Sequence, residues 1–186
     1  MRWLGPLGIP MLLGACASTV ATLEPEPQLP VCDPAASALV LWAPAWRANQ
    51  KDAGSREAAA ATGLRDFFAR PACFASTDLR RLPDLQPPTL ATALASTSRA
   101  PDRVVGIEVH ELGPVLRLLS SAALVEGGTE VVLRIVEYAP PSVAQVRSFQ
   151  VHWRHGGAGV IKGVASLPQD MQAALRAGLQ PGDTPR

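Results

Sequence analysis

The spacing of apolar positions along the chain changes from segment to segment, and these changes predict the elements of a folded domain. Ala38 to Ala43 is a continuous apolar run, which is typical of a strand covered on both faces. Ser55 opens a helical pattern that Pro71 ends, and Cys73 to Thr77 is a weaker strand candidate. A short helix is expected after Pro87-Pro88. The order strand, helix, strand predicts parallel strands joined by a right-handed crossover.

From Val104 onward, apolar and polar residues alternate with a period of two, as in strands with one polar face. Gly127-Gly128 indicates a hairpin-like turn between two of these strands, and Pro140-Pro141 separates the next pair. A helical stripe closes the chain. The predicted core positions of this half are Val105, Ile107, Val109, Val131, Leu133, Ile135, Phe149, Val151, Trp153, Met171, Ala174, Leu175 and Leu179. The whole pattern predicts one mixed α/β domain over residues 37–181, with a parallel βαβ start, an antiparallel meander and a closing helix.

The first residues follow the pattern of an export signal. Arg2 precedes an apolar stretch from Trp3 to Leu13 that would rise about 16 Å as a helix, roughly half of a bilayer core. The stretch ends in Leu13-Gly14-Ala15-Cys16, which resembles the lipobox of bacterial lipoproteins. That resemblance implies a signal peptide over residues 1–15 and acyl chains on Cys16. The alternative is an ordinary secreted protein that is cut after Ala15 or Ala17, in which Cys16 has no special role.

Residues 16–36 contain four prolines and show no apolar periodicity, which predicts an extended, lipid-anchored tether. Residues 182–186 are predicted to be a disordered tail. Ala17 and Ser18 follow the cysteine, and the absence of an acidic residue there favours the outer membrane over the inner membrane, by analogy with enterobacterial lipoproteins. We therefore expect a lipid-anchored domain on the periplasmic face of the outer membrane.

Composition narrows the classes of function. Apolar residues make up 47% and charged residues 18% of the 186 residues, which is a globular composition. Arg2 is the only charged residue of the predicted signal, so the mature chain carries 16 bases and 16 acids. Nucleic-acid binding needs a concentrated basic surface, and this balance argues against it.

Cys32 and Cys73 are the two remaining cysteines. Cys32 lies shortly before the first predicted strand and Cys73 begins the second, and the starts of two parallel strands lie at the same edge of a sheet. An exported domain also meets oxidising conditions. The pair therefore predicts a disulfide, with two free buried thiols as the alternative.

No combination of residues predicts catalysis, a metal site or a bound cofactor. His110 and His152 fall on polar strand faces, and His152 and His155 do not have the spacing of a helical metal pair. Trp46 and Arg47 follow the end of the first strand, where ligand sites of open α/β sheets commonly lie. They are candidates for a partner contact, while the alternative is that the indoles of Trp42 and Trp46 merely cover the sheet edge.

The layout of lipobox, proline-rich segment, apolar strand and helix, late amphipathic strands and terminal helix resembles the ABC-type transport auxiliary lipoproteins, the PqiC-like group. The nearest local likeness is Val104 to Leu112, together with the closing helix from Ser166. Envelope lipoproteins of the curli-secretion and TolB-amino-domain type have a similar layout. The resemblance implies a non-catalytic accessory that works with ABC permease or substrate-binding components on lipids or hydrophobic compounds. The alternative is a scaffold or activator for secretion or cell-wall synthesis.

Overall fold

The computed structural model describes residues 17–70, 72–119 and 124–182. The predicted signal peptide and Cys16 lie outside these residues, as do residues 183–186 of the predicted tail. The elements in chain order are β1 (Ser18–Glu24), β2 (Asp33–Pro44), α1 (Ala53–Phe68), β3 (Phe74–Arg81), α2 (Pro87–Ala95), β4 (Arg103–Leu119), β5 (Leu124–Ala139), β6 (Ala144–Ala158), a single 3₁₀ turn (Val164–Ser166) and α3 (Leu167–Leu179).

All six strands form one mixed sheet in the order β1-β6-β5-β4-β2-β3. Strand β2 pairs in parallel with both β3 and β4, whereas β4, β5, β6 and β1 pair in antiparallel fashion. The predicted fold class, a single α/β domain with a βαβ start, a meander and a closing helix, is confirmed.

Helices cover the sheet on both faces, which explains why the run from Ala38 to Ala43 in β2 is apolar on both sides. Val40 and Trp42 enter the main core with α1 and α3, while Leu39 and Leu41 enter a smaller core under α2. Alternating side chains of one strand therefore reach two apolar layers. The core positions predicted from the period-two strands and the closing stripe are all buried.

The structure differs from the predicted tether over residues 16–36. Residues 18–24 form β1, which pairs with β6 over seven positions, and β2 begins at Asp33, inside the predicted tether. Three β-branched residues, Thr19, Val20 and Thr22, favour a strand before the prolines begin at Pro25. Their partner strand lies more than 120 residues away, so no local pattern marks the pairing.

The predicted turn at Gly127-Gly128 is wrong, because both glycines lie inside β5 and pair with Gly157 and Gly156 of β6. The connection from β4 to β5 falls instead at residues 120–123, outside the described residues. Glycine is required by close packing of the strands: a Cβ on Gly128 would lie 2.5 Å from the carbonyl oxygen of His155. Here glycine marks a close backbone approach and not a turn.

Candidate functional site

The Cys32–Cys73 disulfide is present, as predicted, with 4.4 Å between the two Cα atoms. It joins the chain just before β2 to the chain just before β3, which the parallel pairing places side by side. The backbone amides of Val31 and Cys32 both donate to the carbonyl oxygen of Leu179 at the end of α3. The disulfide therefore links the starts of β2 and β3 close to the C-terminal end of α3.

Trp46 and Arg47, the predicted contact residues, follow β2 but have different surroundings. Trp46 packs against the main core, and its indole Nε1 is buried without a hydrogen-bond partner among the described residues. The Arg47 side chain is 72% exposed, with Nη2 lying 3.2 Å from Oε2 of Glu111. The indole of Trp46 therefore contacts the core, whereas the side chain of Arg47 is exposed to solvent.

Glu111 is the centre of a charged cluster at this end of the sheet. Strand β4 has a bulge between Val109 and Glu111, where its register with β5 shifts. Beyond the bulge, Oε1 of Glu111 accepts a hydrogen bond of 2.7 Å from Nη1 of Arg56, and both side chains are mostly buried. One carboxylate therefore faces two guanidinium groups, and the cluster keeps one uncompensated positive charge near the exposed Arg47.

Arg56 is fixed by more than its ion pair. Its Nη1 also donates to the carbonyl oxygen of Leu112 at 2.7 Å, and its Nε donates to that of Lys51 at 3.0 Å. The guanidinium occupies the space beside Gly113, where any side chain would overlap it. Sequence reasoning missed Arg56, because a single arginine at the start of a helix carries no signal of a partner that lies 55 residues away.

The three histidines of the chain do not form a metal-ligand group. His110 lies 3.4 Å from Glu108, which also contacts Arg134 at 3.1 Å, but the ring nitrogen makes no hydrogen bond among the described residues. His152 contacts Gln150 at 3.2 Å. On the side of the sheet covered by α3, His155 stacks on Trp153 with 6.0 Å between ring centroids, and it hydrogen-bonds Thr19 at 2.7 Å. The three histidines thus have different contact residues.

An open cleft of about 390 Å³ lies between β1, β6 and α3. Lys162, from the loop after β6, places Nζ 2.6 Å from Oδ1 of Asp170 in the first turn of α3. Ser166 Oγ donates to the other oxygen of the same carboxylate at 3.0 Å. The charge of Lys162 is thereby neutralised within the domain, and the loop after β6 is joined to the start of α3.

Among the residues that the structure describes, Asp102 and Tyr138 have displaced pKa values, and both lie outside the Glu111 cluster. Hydrogen bonds from the hydroxyl and the backbone amide of Ser37 lower the pKa of Asp102. Burial raises the pKa of Tyr138, against a smaller opposing effect of Arg134. Asp102 also donates its backbone amide to the carbonyl oxygen of Ser37, so the pair joins the start of β2 to the turn before β4.

The charged groups described above form ion pairs within the domain. Within residues 17–70, 72–119 and 124–182, no three His, Cys, Asp or Glu side chains are grouped as metal ligands would be. In the same part of the chain, no helix has the length and apolar character needed to cross a membrane.

Comparisons with known proteins give structural neighbours only. No protein-family model matches the chain, and no curated protein matches it. The chain is similar to the PelC dodecamer from Paraburkholderia phytofirmans, with 16% identity, a TM-score of 0.41 and coverage of 85% of this chain and 95% of that one. A homologue of a neuraminyllactose-binding hemagglutinin from Helicobacter pylori has 14% identity, a TM-score of 0.40 and coverage of 80% and 85%. Likenesses at this level carry no conclusion about function.

Proposed function

We propose that this protein is a lipid-anchored lipoprotein of the bacterial envelope, held at the outer membrane through Cys16. In this proposal the domain is a non-catalytic accessory of an ABC-type transport system for lipids or hydrophobic compounds. It acts by binding another envelope protein, and permease or substrate-binding components are the expected partners.

The Cys32–Cys73 disulfide is the observation that carries the proposal. Disulfides persist in oxidising compartments and are rare in a reducing cytosol. The bridge lies in the domain core, where Cys73 is almost fully buried, so it serves the structure of the folded domain. Such a disulfide agrees with export from the cytosol, and the predicted export signal with its lipobox cysteine is the sequence feature that would direct this export.

The partner contact is assigned to the loop that carries Arg47. Glu111 is held by the mostly buried Arg56, and the side chain of Arg47 beside it is largely exposed. The cluster retains one positive charge, and guanidinium binds carboxylates with two parallel hydrogen bonds. An acidic group on the partner is therefore the expected counterpart.

The experiment compares Arg47→Glu with Arg103→Glu in the full-length protein. Arg103 is a matched control, because it is also exposed and also pairs with one carboxylate, that of Asp33. Each variant is cross-linked in membranes, and the co-purified proteins are identified beside a growth-complementation assay. Arg47→Glu should lose the partner and the function, whereas Arg103→Glu and alanine variants of His110, His152 and His155 should keep both.

The identity of the partner separates the candidate functions. Permease or substrate-binding components support the transport role, whereas secretion or cell-wall synthesis proteins support the scaffold role instead. A single histidine variant that abolishes function in a stable, correctly anchored protein contradicts the non-catalytic proposal and points to an enzyme or a metal site.

A further inference from the structure

The lipid anchor proposed at Cys16 leaves the domain almost no freedom to leave the bilayer. Strand β1 begins at Ser18, only two residues after this cysteine. Two extended residues span at most about 7 Å. The end of the sheet that contains Ser18 therefore lies against the membrane that holds the acyl chains.

An exposed apolar loop lies at this same end. Ser18 pairs with Gly156, and β6 ends two residues later at Ala158, after which the chain turns into a loop. Ile161 in this loop is 89% exposed, the most exposed large apolar side chain among the described residues, and Val164 is 52% exposed. The lysine between them is paired with Asp170, so its charge is compensated inside the domain.

Strands β4 and β5 also extend in this direction. Ser18 of β1 pairs with Gly156 of β6, which pairs with Gly128 of β5, and Gly128 pairs with Val115 of β4, so these residues form one row across the sheet. Beyond this row, β4 and β5 stay paired as far as Leu119 and Leu124. At about 3.3 Å per residue, these four further positions add roughly 13 Å. The ends of β4 and β5 therefore reach past the row of Ser18, on the side where the chain leads back to Cys16.

We infer that this end of the sheet docks on the lipid bilayer, with Ile161 and Val164 inserted at the boundary between headgroups and acyl chains. The inference rests on the proposed lipid anchor. Apolar side chains that lie exposed singly are ordinary in proteins, but the anchor keeps these two at high local concentration beside lipid. Insertion of about 5–10 Å is typical of peripheral membrane elements. The docked domain would then hold a fixed orientation.

The test measures depth in the membrane at single positions of the acylated mature protein. Ile161→Cys, Val164→Cys and Val146→Cys are labelled with the environment-sensitive fluorophore NBD. The proteins are reconstituted in vesicles of phosphatidylethanolamine and phosphatidylglycerol that contain a nitroxide on the acyl chains. Val146 is the matched control, since it is 65% exposed and lies near the opposite end of β6. Mass analysis establishes that the acyl groups and the Cys32–Cys73 disulfide are present.

Probes at positions 161 and 164 should be quenched severalfold more strongly than the probe at position 146. Equal quenching at all three positions in the acylated protein, whether weak or strong, overturns the docking inference and leaves the proposed anchor intact. A mature protein without acyl groups overturns the anchor and the docking inference together.

Discussion

Reduction of the Cys32–Cys73 disulfide is expected to lower the free energy of unfolding of the domain by about 4 kcal/mol. The bridge spans 41 positions of sequence, and the chain-entropy relation for a loop of that length gives this value at 25 °C. For a domain of this size, the corresponding fall in Tm is about 8–16 °C. The effect arises mainly in the unfolded chain, which the bridge keeps compact.

The assay is urea and thermal unfolding of the mature domain with and without a phosphine reductant. Reduction leaves both sulfur atoms in place, so it opens no cavity at the buried Cys73. The control is the double variant Cys32→Ala/Cys73→Ala, whose stability should not respond to the reductant. The slope of unfolding against urea should rise on reduction, because the unfolded chain then exposes more surface. A fall in Tm of less than about 2 °C on complete reduction would refute the reasoning, since it corresponds to 1 kcal/mol or less.

Three further predictions concern matched positions in the fold. Gly54→Ala should stabilise the protein by about 0.5–1 kcal/mol, because an added Cβ meets nothing within 4 Å. Gly63→Ala in the same helix should destabilise it by about 1–3 kcal/mol, because its Cβ would lie 2.7 Å from a backbone oxygen of α3. Urea unfolding of both variants checks this prediction, and equal effects contradict it. Arg56→Ala should lower the free energy of unfolding by about 2–3 kcal/mol in the same assay, and Arg47→Ala by less than about 1 kcal/mol. The two arginines share one carboxylate, but only Arg56 is buried. A larger effect of Arg47→Ala than of Arg56→Ala would contradict this description of the cluster. The lowered pKa of Asp102 adds stability that is present above the ordinary value of 3.8 and is lost as the pH falls through the lower folded value. Asp102→Asn should therefore flatten the profile of stability against pH on the acid side, and an unchanged profile contradicts this.

The sequence predicted elements that carry their own periodicity. The run from Ala38 to Ala43 indicated a doubly covered strand, because both of its faces are buried in the fold. The stripe that includes Met171 and Leu175 indicated the closing helix, because one face of a helix repeats at a fixed spacing. The disulfide followed from strand topology, since parallel strands begin at the same edge.

Features that depend on distant partners were missed. Strand β1 has only one buried side chain, that of Leu23, and its stability comes from a ladder with β6 that no local pattern reveals. The Arg56–Glu111 pair joins α1 to β4 at the register shift between Val109 and Glu111, which no local pattern indicates. The glycines of β5 were assigned to a turn because turns and close strand contacts both select glycine. In each case the deciding contact is made across the sheet and not along the chain.

Metabolic labelling of Cys16 with a fatty acid tests most directly the central claim that this protein is a lipid-anchored lipoprotein. Cells that express the full-length protein are grown with a clickable fatty acid, and the labelled protein is followed in membrane fractions. The proposal predicts that the wild-type protein carries the label and fractionates with the outer membrane. In that case Cys16→Ser should abolish the label and leave an unanchored or unprocessed chain. A Cys16→Ser protein that still takes up the fatty acid, or a wild-type protein that takes up none, would contradict the account.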